Sequence, residues 1–159
     1  MTSNARRVRR DADAVGIEVA VESRVPQRLV SRPRAREIVR TALRDAGVRR
    51  AMICVTFVSR RTIAALNRVH LGKRGSTDVI TFAFAPTALH VPLVADVYIA
   101  PDVARANARS YDVSAREEMT RLLIHGALHA AGLDHPETGD RTHSAMWRRQ
   151  ERLVRTTRK

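Results

Sequence analysis

A chain of 159 residues and 17.8 kDa, 44% hydrophobic, is enough for one domain with a core of its own. Its one cysteine, Cys54, excludes an intramolecular disulfide and points to a reducing compartment. The formal net charge is +13, and 27 of the 29 basic residues are arginine, because only Lys73 and Lys159 are lysines; such a chain favours a polyanionic partner.

No stretch reaches the ~18 apolar residues of a membrane span. Residues 1–13 are polar and arginine-rich and read as a disordered basic arm, with no apolar segment behind them to make a secretory signal. The expected location is the cytoplasm. Residues 14–159 read as a single domain.

In IEVAVES (17–23) apolar residues alternate with Glu18, Ala20 and Glu22, a strand pattern. From Ser31 to Gly47 a Ser-Pro start, apolar residues at helical spacing and a Gly stop predict a helix. AMICVTFV (51–58) is a near-continuous β-branched run suited to a strand covered on both faces, with Cys54 buried in it as a small hydrophobe. Residues 60–68 predict a short helix and 70–76 a glycine-containing loop. Strands follow over 77–84 and 94–100, around a loop punctuated by Pro86 and Pro92. From Pro101 the signal is helical. One helix covers DVARANARSY, and a second opens at Ser114 with a capping box pairing Ser114 with Glu117. That helix runs to Ala131 and stops at Gly132; a last helix spans THSAMWRRQERLV. The fold class is α+β, a small mixed sheet packed with helices.

The chemistry concentrates in HGALHAAGLDH (125–135). His125 and His129, four apart on a helix, present two imidazoles to one ion. Gly132 lets the chain reverse, so that His135 returns as a third ligand, and Pro136 prevents helical continuation. Three histidines with an open fourth position are the ligand count of a catalytic zinc site. The spacing is that of the metalloprotease pattern H-E-x-x-H-x-x-G-x-x-H, but Gly126 stands where the catalytic glutamate belongs. Glycine inside a helix costs about 1 kcal/mol against alanine, so either close packing or room beside the metal for a bulky substrate demands it. The ion can still polarise a phosphoryl oxygen and activate a nucleophile, which suits a phosphodiester, RNA above all. Asp134, Asp96 or Asp78 is placed to orient a ligand histidine or act as a base. His70, His90 and His143 read as loop or surface residues.

These residues resemble a known family. HGALHAAGLDH looks like the H-G-x-L-H-L-x-G-Y-D-H signature of the YbeY endoribonucleases. LNRVHLGKRGSTDVITFAF (66–84), VADVYIAPDVA (94–104) and MWRRQERLV (146–154) are similar to further family segments in the same order. The resemblance implies a mixed four-stranded sheet whose metal helix is zincin-like, and one Zn2+ on His125, His129 and His135. It implies single-strand-specific RNA cleavage in small-subunit rRNA 3′-end maturation and ribosome quality control, so rRNA and the ribosomal subunit are the expected partners. Catalytic roles then fall to His125, Asp134 and Asp96. Where the family carries an arginine thought to contact substrate, this chain has Leu71, and Lys73 or Arg74 supplies the cation from the same loop. Ala95, Ser76, Ala83, Ala130 and Leu133 also depart from the family pattern, as packing changes. Two other readings stand beside this one: a metal-dependent hydrolase of another substrate, and a non-catalytic ribosome-assembly factor stabilised by zinc.

Overall fold

The computed structural model describes residues 16–158, so the basic arm expected over 1–13 lies outside the described residues. Four strands form one sheet in the order β1-β2-β4-β3. Strand β1 (Ile17–Ser23) runs parallel to β2 (Ala51–Phe57), with Ile17 opposite Ala51, and β2 runs parallel to β4 (Leu93–Ile99), with Ala51 opposite Leu93. Strand β3 (Val79–Phe84) closes the other edge antiparallel to β4, with Val79 opposite Ile99. The mixed α+β architecture is the one the alternating strand and helix patterns predict.

Helix α1 (Arg32–Asp45) starts where the Ser31 hydroxyl accepts from the Arg34 N–H and buries Ala35, Ile38, Val39, Ala42 and Leu43. Helix α2 (Arg60–Leu71) is capped by Ser59 and extends past the expected 60–68, taking in His70 and Leu71 before Gly72 ends it with φ +65°. Helix α3 (Pro101–Ser110) leads into α4 (Ala115–Ala130), and a 3-10 turn (Arg141–His143) precedes α5 (Ala145–Thr157). Among the described residues, no helix is long and apolar enough to cross a membrane.

The main core joins Val19, Val21, Val55 and Val97 of the sheet to Leu43 of α1, Leu123 and Ala127 of α4 and Leu153 of α5. A smaller cluster on the opposite sheet face gathers Val58, Ile63, Ile80, Ala100 and Val103, with Phe82 and Tyr98 packed against it. It covers only one end of that face. Strand β2 is therefore not covered on both faces as its sequence predicts: Met52 is 49% exposed and Cys54 only half-buried, with Val94 and Phe84 also exposed nearby. The apolar run records β-branched preference more than burial.

Two local expectations change as well. Ser114 accepts from the Glu117 N–H at 3.1 Å, but the Glu117 carboxylate turns to Arg121 at 3.0 Å and to Arg158. Half of the capping box is formed, and the other half is given up to ion pairs. Strand β3 begins at Val79 rather than Thr77, because Asp78 accepts from the Val79 N–H at 2.8 Å and from the Asn107 amide at 2.9 Å.

A candidate metal centre and its cleft

Helix α4 presents His125 and His129 one turn apart, and Gly132, at φ +88°, reverses the chain as only a glycine does readily. His135 then returns toward the helix. The ring centroids lie 4.5 Å (His125–His129), 5.2 Å (His125–His135) and 5.0 Å (His129–His135) apart. One nitrogen from each ring falls within 4.8 Å of the others, so the three can hold a metal ion.

Hydrogen bonds decide which nitrogen His125 and His135 offer. Arg121 donates to Glu151 through Nε at 2.8 Å and Nη2 at 3.1 Å. Glu151 in turn accepts from the Gln150 amide nitrogen at 3.1 Å, which turns the Gln150 carbonyl oxygen toward His125. His125 Nδ1 lies 2.7 Å from that oxygen and must be the donor, leaving Nε2 with a free lone pair. His135 Nδ1 is 3.0 Å from the Pro136 carbonyl, which fixes the same tautomer. The Asp134 carboxylate lies 3.9 Å from His129 Nδ1.

His129 Nε2 and His135 Nε2 approach to 3.3 Å. With the His135 proton on Nδ1, its Nε2 lone pair faces His129 Nε2 and is open to a cation. Tetrahedral ligands ~2.05 Å from one ion stand ~3.3 Å apart. The donor set therefore fits a metal by chemistry and by spacing. Burial pushes the His125 pKa below its ordinary value, and burial together with His125 and His135 lowers His129 to about 4. Neutral imidazoles are what a metal needs.

Gly126 lies on the side of α4 that meets the sheet. A Cβ there would stand 2.5 Å from Val97 Cγ1 and 3.4 Å from Thr81 Oγ1. Of the two reasons the sequence allowed for this glycine, close packing is the one the structure supplies. A glutamate cannot occupy the position without lifting the helix from the sheet.

The remaining expected residues separate. Asp134 sits in the ligand loop and accepts from the His135 N–H at 2.8 Å. Asp96 is not brought to the histidines. Along β4, Val97 faces α4, so its neighbour Asp96 points to the other face, where it borders a groove with Cys54, Met52 and Arg40. The period-2 alternation of a strand, not visible as a direction before the partner helix is known, explains the difference. Asp78 is nearer the centre and lines a cleft with His125.

Lys73 and Arg74 leave the same loop in different directions. The buried Asn67 ties that loop down, donating to the Gly75 carbonyl at 3.1 Å and accepting from the Lys73 N–H at 3.2 Å. Lys73 Nζ reaches Glu137, two residues beyond His135, at 3.8 Å. Arg74 instead borders a groove with Arg61 and Arg68 of α2. Leu71 is 48% exposed. His90 and His143 are exposed, and the exposed His70 packs edge-on to Phe82, so all three lie at the surface as expected.

Sequence reasoning missed three features. Gln150 is 2% exposed; it falls in the family-like segment MWRRQERLV and is a polar residue inside the buried stripe Met146, Gln150, Leu153, Val154 of α5, but its role was not read from either signal. The second is the Arg121 network: Arg121 bonds Glu117, Glu118 and Glu151 at once, which ties α4 to α5, while Asp45 of α1 holds Arg152 through two bonds of 3.0 and 2.9 Å. The third is Arg141, which lines the cleft beside His125 and donates to the Glu137 carbonyl at 3.0 Å.

Comparison with known proteins agrees with this geometry. The family model described as Endoribonuclease YbeY matches residues 21–158. A protein named Endoribonuclease YbeY from Geobacter metallireducens is 32% identical over 78% of this chain and 85% of its own length. One of the same name from Chlorobium phaeobacteroides is 29% identical over 80% of this chain and 89% of its own. The solution structure of TM1509 from Thermotoga maritima shares the fold, with a TM-score of 0.60 at 24% identity over 87% of this chain and 88% of that one. The match takes in β2 to β4, the histidine-bearing helix α4 and α5: the chain belongs to the YbeY family of endoribonucleases.

Proposed function

We propose that this protein is a zinc-dependent endoribonuclease that cuts single-stranded RNA, and that it acts in the cytoplasm on the 3′ end of small-subunit rRNA and in ribosome quality control. The observation that carries the reading is the convergence of three histidine nitrogens, two of them 3.3 Å apart, on a helix whose Gly126 leaves no place for a protease's base. Bound there, zinc supplies a Lewis acid for a phosphodiester and acidifies water near neutral pH.

The protein's own groups do the rest. Gln150 and the Pro136 carbonyl hold the His125 and His135 rings in register. Asp134 fixes the backbone of the ligand loop, and its carboxylate, 84% exposed, is free to accept a proton from an approaching nucleophile. Arg141 and Lys73 flank the loop between His135 and the cleft, placed to neutralise phosphate charge. The net charge of +13 draws RNA in, with affinity that falls steeply as salt rises.

Metal analysis joined to cleavage of a single-stranded RNA by wild type and His125→Ala tests this. Stoichiometric zinc and cleavage in wild type, both lost in the variant, are expected; a wild-type protein without metal defeats the reading. Exposed Leu71, at the family's arginine position, favours a second reading, a zinc-stabilised assembly factor without catalysis. That reading expects His129→Ala to abolish cooperative melting, whereas a catalytic centre expects lost cleavage in a protein that still melts cooperatively.

A further inference from the structure

A cleft of about 370 Å³ opens beside His125, between α4 and the start of α5. Its floor holds Leu122 and Glu118, 4% and 3% exposed, together with His125 and Gln150. Tyr111 and Trp147 form part of its walls, and Tyr111 is 69% exposed. Nothing in the fold requires a large aromatic ring at Tyr111, which ends α3 with its side chain in water. Arg141 stands at the rim.

The cleft's acceptors are the carboxylates of Asp78, Glu118 and Glu151, set among the donors Arg121, Arg141, Tyr111 and Trp147. Arg121 is consumed by Glu117, Glu118 and Glu151 and has little left for a ligand. It offsets their charge, however, so the floor is not a strongly anionic surface. The Glu118 and Asp78 carboxylates keep lone pairs beyond the bonds they already accept, since each oxygen has two. A flat, uncharged ligand with N–H groups on one edge and a π-face for an aromatic wall matches this lining. A nucleobase is such a ligand, and single-stranded RNA offers unstacked bases.

Resting on the endoribonuclease reading, we propose that this cleft is a nucleobase subsite seating one unstacked base of the RNA next to the cut, and that it prefers bases with an exocyclic amino group over uracil. Carboxylates accept from the amino groups of cytosine, adenine and guanine, and uracil has none. Tyr111 and Trp147 supply the stacking surface, while Arg141 at the rim takes an adjoining phosphate.

Trp147 is the chain's one tryptophan, so its fluorescence reports on the cleft without any need for catalysis. Zinc-loaded protein is titrated with adenosine, cytidine, guanosine and uridine, with inorganic phosphate as the control. The amino-bearing nucleosides are expected to quench saturably and at least threefold more tightly than uridine, with no quenching by phosphate. Tyr111→Ala, a change at an exposed ring, is expected to weaken them at least fivefold. In parallel, cuts in a randomised single-stranded RNA are mapped, and wild type is expected to disfavour uridine at one position flanking the cut. Equal binding of uridine, unchanged binding in Tyr111→Ala, or cuts without base preference overturns the subsite. Selective nucleoside binding without any RNA cleavage leaves the subsite standing and removes the nuclease reading; cleavage without selectivity does the reverse.

Discussion

Replacing Gly126 by alanine tests why the protease glutamate is missing. The added Cβ would lie 2.5 Å from Val97 Cγ1, about 1 Å inside ordinary carbon contact. Val97 is 1% exposed on a strand paired on both sides, so it cannot withdraw, and α4 must lift instead. Overpacking of this kind costs about 1–3 kcal/mol, against which alanine recovers about 1 kcal/mol of helix propensity. Gly126→Ala is therefore expected to lower stability by roughly 1 kcal/mol. Val97→Ala alone costs about 2 kcal/mol for two buried methyl groups. It also removes the obstructing atom, so in that background Gly126→Ala should stabilise by about 1 kcal/mol. Urea unfolding of all four proteins gives the coupling, expected at about 1–3 kcal/mol with a reversal of sign. If Gly126→Ala changes stability equally in both backgrounds, the close approach of helix and sheet is not what keeps glycine there.

Other outcomes follow from the same contacts. Gln150→Ala should weaken zinc binding by roughly 10- to 100-fold, measured against a competing chelator, while Gln150→Glu should retain most of it; equal affinity in all three proteins would remove the positioning role. Because the His129 pKa is about 4 when folded against 6.5 ordinarily, the unfolded chain takes up the proton first. In EDTA, stability is then unaffected above pH 6.5 and falls by up to ~3 kcal/mol between pH 6.5 and 4; His129→Ala should flatten that part of the profile, and parallel melting curves would refute it. Leu71→Arg should raise RNA affinity, and Lys73→Ala with Arg74→Ala should lower it and reduce the slope of log affinity against log salt by about one per lost phosphate contact. A double variant with full cleavage and unchanged slope leaves those cations without a role.

The sequence carried the fold because its signals were local. The alternation of Ile17, Val19 and Val21, the Ser31 and Ser114 caps and the Gly132 stop each act within a few residues, and each element lies where it points. The three histidines were legible for the same reason, since helix pitch and one glycine bring them together. What was not legible depends on contacts distant along the chain. Asp96 could not be assigned a face until α4 was known to pack on Val97. Gln150 meets His125 across 25 residues, and Arg121 meets Glu151 across 30. The exposed side of Met52 follows from the second cluster gathering around Val58, Ile63, Ile80, Ala100 and Val103 and leaving Met52 outside it, which no property of β2 itself reveals.

The order of the centre's parts along the chain bears on when it can form. All four strands are complete at Ile99, before any histidine of the centre has been synthesised. At ~5–20 residues per second, a growing chain passes some seconds with its strands made and none of the three histidines yet in place. His125 then waits for Gln150, so its ring is oriented only after α5 has emerged and docked on α4. A protein of an RNA-cutting family is born beside a great deal of RNA. Placing the ring's holder downstream of the ring defers assembly of the centre until the fold that contains it is in place.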